Sequence, residues 1–138
     1  MPLSSADLAT VEGYAADMRA AGWASHVTYD NLVRDWRRLS QEVRRYPATI
    51  DDYTNDLTAR SALELIRQRC DPVLAHLLAG ELAYWDDTFL DGTDLDVDHL
   101  MHDFYREQDE ALWWFQRVPK TGPLREYLDS WAVERRRG

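Results

Sequence analysis

The stretch from Thr93 to Asp103, "TDLDVDHLMHD", contains the residue types that bind metal ions. Its alternating aspartates match positions one, three and five of a calcium-binding EF-hand loop; they are Asp94, Asp96 and Asp98. That loop also needs glycine at its sixth position and a bidentate glutamate at its twelfth, where this sequence has His99 and Tyr105. The pattern therefore does not predict an EF-hand.

Two histidines in the same stretch indicate a different kind of metal site. His99, His102 and Asp103 would present nitrogen and oxygen ligands on one face of a helix, and a closed site would take a fourth ligand from Asp86 or Asp87. In the alternative that we favour, one of the three aspartates caps a helix and both histidines face water. We therefore expect no cofactor, and a metal-dependent enzyme or metal sensor is kept as an alternative function.

Nucleophilic catalysis has little support in the sequence. The only cysteine, Cys70, lies at a predicted helix end, and His76 lies on a different face of the next helix. No glycine-flanked serine is present, and isolated glycines exclude a glycine-rich phosphate loop. We assign no catalytic residue and expect a binding protein. A single cysteine and the lack of a secretory signal favour the cytoplasm.

Negative charge is concentrated in the middle of the chain. The net charge is -9, and residues 51–110 contain sixteen acids and four bases, whereas residues 1–50 are balanced and residues 111–138 are net positive. Such a field attracts cationic partners and repels nucleic acids and membrane surfaces. We therefore expect a basic protein as partner, with no membrane and no nucleic acid.

An arginine-rich face on the second predicted helix supports a further alternative, a nucleic-acid-binding domain. Its members are Arg34, Arg37, Arg38, Arg44 and Arg45. Arginines can contact phosphates and stack on bases, but the neighbouring Trp36 belongs to an apolar stripe and the net charge opposes binding. We favour a solvated face that pairs with the protein's own acidic helices.

Helix signals recur from end to end, and no run of alternating β-branched residues predicts a strand. Four predicted helices start directly after a capping residue, and the last one begins at a proline. The capping residues are Ser4, Thr28, Thr49 and Asp71, and the proline is Pro123. We expect a break near Thr58 and a long helix from Val97 through Phe115. The prediction is an all-α, single-domain bundle of six or seven short-to-medium helices over residues 1–138.

Two adjacent tryptophans suggest a binding face. If the helix from Val97 reaches Phe115, Trp114 lies over acidic residues on a solvent-directed surface. The predicted partner-binding residues are Trp113, Trp114, Asp94, Asp96, Asp98, Asp103, Glu107 and Glu110. Alternatively, the helix breaks near Glu110 and "WWFQRVP" folds inward against the last helix. Our prediction combines the two, with Trp113 packed inward and Trp114 exposed.

Overall fold

The computed structural model describes residues 3–101 and 112–137. Within these ranges the chain is mostly helical, with five α-helices and one small two-stranded sheet. The elements are α1 Ser5–Ala20, α2 Tyr29–Glu42, α3 Ile50–Arg69, α4 Pro72–Asp91, β1 Thr93–Leu95, β2 Arg117–Pro119 and α5 Pro123–Arg137. The predicted helical class is confirmed, but the predicted six or seven helices are not found in the described ranges.

Local capping determines where these helices begin. The Ser4 hydroxyl accepts a hydrogen bond from the Asp7 amide, and Thr49 makes the same contact with Asp52. Asp71 caps α4 in front of Pro72, whose missing amide hydrogen costs nothing at the first helical position. The predicted starts of α1, α3 and α4 are therefore confirmed.

Two sequence predictions about helix boundaries were wrong. The helix α3 continues through Thr58, whose hydroxyl donates to the Asn55 carbonyl instead of capping a new helix. No α-helix begins at Val97 within the described residues, because residues 97–101 form turns and irregular chain, and residues 102–111 of the predicted helix lie outside the described ranges. At the other end of the predicted helix, Trp113–Gln116 is a short 3₁₀ turn that leads into β2.

The two strands that the sequence did not predict form an antiparallel ladder with Thr93 opposite Pro119 and Leu95 opposite Arg117. The Arg117 guanidinium donates to the Thr93 hydroxyl at 2.7 Å and to its carbonyl at 2.9 Å. The Tyr53 hydroxyl on α3 donates to the Arg117 carbonyl at 2.8 Å. These bonds attach the segment after α4, and the segment before α5, to the helical core.

The core lies where α2 packs against α3 and α4. At its centre the rings of Trp36 and Phe89 are 4.8 Å apart. Its largest fully buried side chains come from α2, α3, α4 and the 3₁₀ turn, and include Trp36, Trp114, Tyr53, Phe89 and Leu57. None of the helices in the described ranges is long and apolar enough to cross a membrane.

Candidate functional site

A groove runs between α2, α3 and the loop that precedes α2. It has two lobes, with cavity volumes of about 260 and 240 Å³, and both are lined by His26, Asp35, Asn55 and Asp56. The first lobe has mixed polar and apolar walls and adds Trp23, Ala24, Val27, Leu32, Thr58 and Ala59. The second lobe is more polar and adds Arg38, Leu39, Glu42 and Tyr46.

Helical spacing brings the carboxylates of this groove together. Asp35 and Glu42 are seven residues apart, which is about two turns of α2, so they share one face. Asp56 reaches the same groove from α3. Arg38 is the only arginine or lysine among the lining residues, against three carboxylates, and it forms no ion pair with another described residue. The groove therefore carries uncompensated negative charge.

The carboxyl group of Asp56 responds to this field. Burial raises its pKa, the hydrogen bond from the Tyr46 hydroxyl lowers it, and the nearby charges of Asp52, Asp35 and Glu42 raise it again. The net direction is a pKa above the ordinary value of 3.8. A cation placed in the groove would offset the like charges and lower that pKa.

The Tyr46 hydroxyl anchors Asp56 from inside the protein. Tyr46 is buried, its ring packs edge-on against Tyr53, and its hydroxyl lies 2.5 Å from an Asp56 carboxylate oxygen. Burial and the hydrogen bond to Asp56 raise the pKa of Tyr46, so the phenol stays protonated and donates. The Tyr46 hydroxyl therefore fixes the position of the Asp56 carboxylate, which still lines the open groove.

A second group of charged residues is compensated within the core. The Arg60 guanidinium on α3 donates to both Asp86 carboxylate oxygens on α4, at 2.9 and 3.0 Å. The indole nitrogen of Trp36 donates to the same carboxylate at 2.9 Å. Glu64 lies 3.8 Å from Arg60 and pairs with Arg67. This arrangement joins α2, α3 and α4 through hydrogen bonds between partly buried charges.

Trp114 belongs to this compensated cluster, which corrects the prediction that it is exposed. It is fully buried, its indole nitrogen donates to the Ser61 hydroxyl at 2.9 Å, and the Arg60 guanidinium lies 4.7 Å from its ring centre. Trp113 is partly buried against Phe89, with ring centres 6.1 Å apart. The prediction of an exposed Trp114 assumed that Trp114 lies on a continuous α-helix. Instead, Trp113–Gln116 is a 3₁₀ turn followed by the strand β2.

The aspartates of the opening stretch do not converge on one point. Asp94 pairs with Arg125 of α5 at 3.2 Å. The Asp96 carboxylate accepts hydrogen bonds from the amides of Leu100 and Met101, at 2.6 and 2.9 Å. Asp98 is exposed.

The remaining predicted site residues on this stretch are only partly described. His99 is exposed and has a left-handed backbone, with φ of 54°. His102, Asp103, Glu107 and Glu110 lie outside the described residues. Within residues 3–101 and 112–137, no group of three histidine, cysteine, aspartate or glutamate side chains is placed to hold a metal ion.

The arginine-rich face is exposed, as the sequence indicated. It consists of Arg34, Arg37, Arg38, Arg44 and Arg45. Arg44 donates to the backbone carbonyl of Asp91 at 2.7 Å. The ion pairs between described residues include none of these arginines, so the expected pairing with the protein's own acidic helices is not found there.

Sequence reasoning missed both the groove and the buried ion pair. A signal for the groove was present, because Asp35 and Glu42 share a face of α2, and Asp52 and Asp56 are four residues apart on α3. Like charges at these spacings repel one another, so stability alone does not explain why they occur on two facing helices. The pairing of Arg60 with Asp86 has no comparable local signal. Comparison with family models, curated proteins and solved structures found no match to this chain.

Proposed function

We propose that this protein is a non-enzymatic binding protein that neutralises or regulates a basic protein, and that the groove between α2 and α3 receives a basic side chain of that partner. The observation that carries the proposal is the convergence of Asp35, Glu42 and Asp56 on one groove in which Arg38 is the only arginine or lysine among the described lining residues. Unneutralised carboxylates in a concave site focus an attractive field on a cation.

The groove suits an arginine or lysine in shape as well as in charge. The first lobe offers the partly exposed ring of Trp23, with Val27 and Leu32 beside it, to the aliphatic stem of such a residue. The carboxylates of Asp35 and Asp56 then accept hydrogen bonds from the cationic head. An indole face next to the guanidinium adds a cation–π contact.

The wider charge distribution supports the same function. The net charge is -9, and Asp98 adds a further exposed carboxylate outside the groove. Long-range attraction of this kind accelerates encounter with a basic protein and weakens as salt is added. An immunity protein or antitoxin that covers the cationic surface of a nuclease is one concrete form of the proposal.

The test is a titration with a short peptide of alternating arginine and glycine, followed by calorimetry. The control peptide contains citrulline, which keeps the shape of arginine without its charge. We expect binding of the arginine peptide alone, and loss of that binding in about 1 M salt, where charges are screened beyond about 3 Å. Equal binding of the two peptides would overturn the proposal.

A matched pair of double variants assigns the binding to the groove. Asp35→Asn with Asp56→Asn removes two groove carboxylates, whereas Glu126→Gln with Glu134→Gln removes two exposed charges from α5. We expect the groove variant to weaken peptide binding by at least about tenfold, or 1.4 kcal/mol, and the α5 variant to change it little. Similar losses in both variants would show attraction to net charge and would overturn the groove assignment.

A further inference from the structure

The outer face of α4 is apolar and exposed, although the chain as a whole is rich in charge. Val73 is 72% exposed and Tyr84 is 69% exposed, on the side of α4 opposite the buried Leu74, Leu78 and Leu82. The helix contains no lysine or arginine, and Glu81 is its only acid before Asp86. An apolar stripe of this length on an exposed helix indicates an interaction surface.

The stripe has helical spacing and a glycine at its centre. Its members are Val73, His76, Leu77, Gly80, Ala83, Tyr84 and Asp87, at intervals of three and four residues. A Cβ atom added to Gly80 would meet nothing within 4 Å, so no packing inside this chain requires a glycine there. Glycine weakens a helix interior, and here it leaves a notch in the exposed face.

We propose that this face binds a second copy of the same chain, with the two α4 helices antiparallel about a twofold axis. In a twofold interface every contact occurs twice, so a projecting residue and the notch that receives it must lie on the same surface. Tyr84 is the projecting residue and the Gly80 notch is its receptor: each Tyr84 ring packs over Gly80 of the partner subunit.

The same register also pairs a histidine with a carboxylate. Along the helix, the midpoint between Gly80 and Tyr84 is position 82. The midpoint between His76 and Asp87 lies within half a residue of that position, so one twofold axis can relate both pairs. His76 and Asp87 are eleven residues apart, about three helical turns, so they lie on the same edge of the stripe. In an antiparallel pair related by a twofold axis, one edge of the stripe meets the same edge of the partner's stripe. His76 therefore faces the partner's Asp87. Neither residue has a hydrogen-bond or ion-pair partner among the described residues.

Salt separates this proposal from the binding of a basic partner. Two copies that each carry a net charge of -9 repel one another through the rest of their surfaces, while the only acid in the joined stripe is Asp87, which faces the partner's His76. Added salt screens that repulsion and strengthens the dimer, whereas it weakens binding to a cation. Either proposal can therefore fail while the other holds.

Sedimentation equilibrium of the full chain, over a wide concentration range in low salt and in about 1 M salt, tests self-association. We expect a monomer–dimer equilibrium whose dissociation constant falls as salt is added. Gly80→Glu fills the notch at an exposed helical site and should raise that constant by at least about tenfold. Leu8→Glu places the same charge at an exposed apolar position of α1 and should leave the constant near that of the wild-type chain.

Exchange of the two charged residues tests the register. His76→Asp alone and Asp87→His alone should each weaken the dimer, because each places like residues opposite one another. The double exchange restores opposite pairing and should bring the dissociation constant back towards the wild-type value. A chain that stays monomeric in both salts would overturn the proposal and leave the face to another protein. Equal effects of Gly80→Glu and Leu8→Glu, or a double exchange no better than the single changes, would overturn it as well.

Discussion

Asp86 on α4 and Asp56 on α3 are two carboxylates with opposite surroundings. Asp86 accepts hydrogen bonds from Arg60 and from Trp36, so its charge is neutralised in place. Asp56 accepts a hydrogen bond from Tyr46, and its pKa is raised by burial first and by nearby carboxylates second. The first carboxylate stabilises the packing of α2, α3 and α4, whereas the second is left available to a cation from outside.

Replacement of Trp114 is expected to have the largest effect on stability, because its ring packs against Arg60 of the buried ion pair. Trp114 is fully buried against Arg60, so Trp114→Ala should lower the free energy of unfolding by about 3 to 5 kcal/mol. Trp113→Ala is the matched control and should cost less, because Trp113 is only partly buried. Urea denaturation measures both. A larger loss for Trp113→Ala would contradict the structure.

Removal of one charge from the buried ion pair should have the next largest effect. Asp86→Asn leaves the Arg60 guanidinium with only the more distant Glu64, at 3.8 Å, and we expect a loss of about 3 kcal/mol in the free energy of unfolding. The estimate takes the lower end of the range because the Asp86 side chain is 20% exposed. The exposed Asp91 of the same helix provides the control, since Asp91→Asn should change stability by less than about 0.5 kcal/mol. Equal losses of stability in the two variants would contradict the conclusion that the Asp86 carboxylate stabilises the core.

Removal of a groove charge should change the titration of Asp56 more than it changes stability. Asp35→Asn removes one of the like charges that raise the pKa of Asp56, so that pKa should fall. Asp30→Asn changes an exposed acid of α2 that does not line the groove, and should leave the titration of Asp56 as it is. Carboxyl-detected NMR measures both. A pKa of Asp56 that is indifferent to Asp35→Asn would contradict the shared field.

The smallest expected effect is on the pH dependence of stability. The folded state raises the pKa of Asp56, so it binds the proton more tightly than the unfolded chain does. Stability from this group is therefore present at acidic pH and is lost as pH rises from about 4, the ordinary value, through the raised pKa. Asp56→Asn should show a flatter profile in that interval. A steeper profile for the variant would contradict the raised pKa.

The sequence by itself determined where the helices begin and the charge that the chain carries. Ser4, Thr49 and Asp71 cap helices through bonds to amides three residues away, and such contacts involve only neighbouring residues. The apolar stripes of α2 and α4 were visible for the same reason, since helical periodicity is a local property.

Tertiary structure alone decided which charges are neutralised. Arg60 meets Asp86 across 26 positions, and Trp114 meets Ser61 across 53, because α3 and α4 pack together and the strand pair returns the later chain to them. Sequence reasoning placed Trp114 on a surface because it assumed one continuous helix. The groove likewise draws on α2, α3 and the loop before α2, so its shape depends on packing. Pairing between segments far apart in the chain depends on which arrangement buries the most apolar surface, and no single segment contains that information.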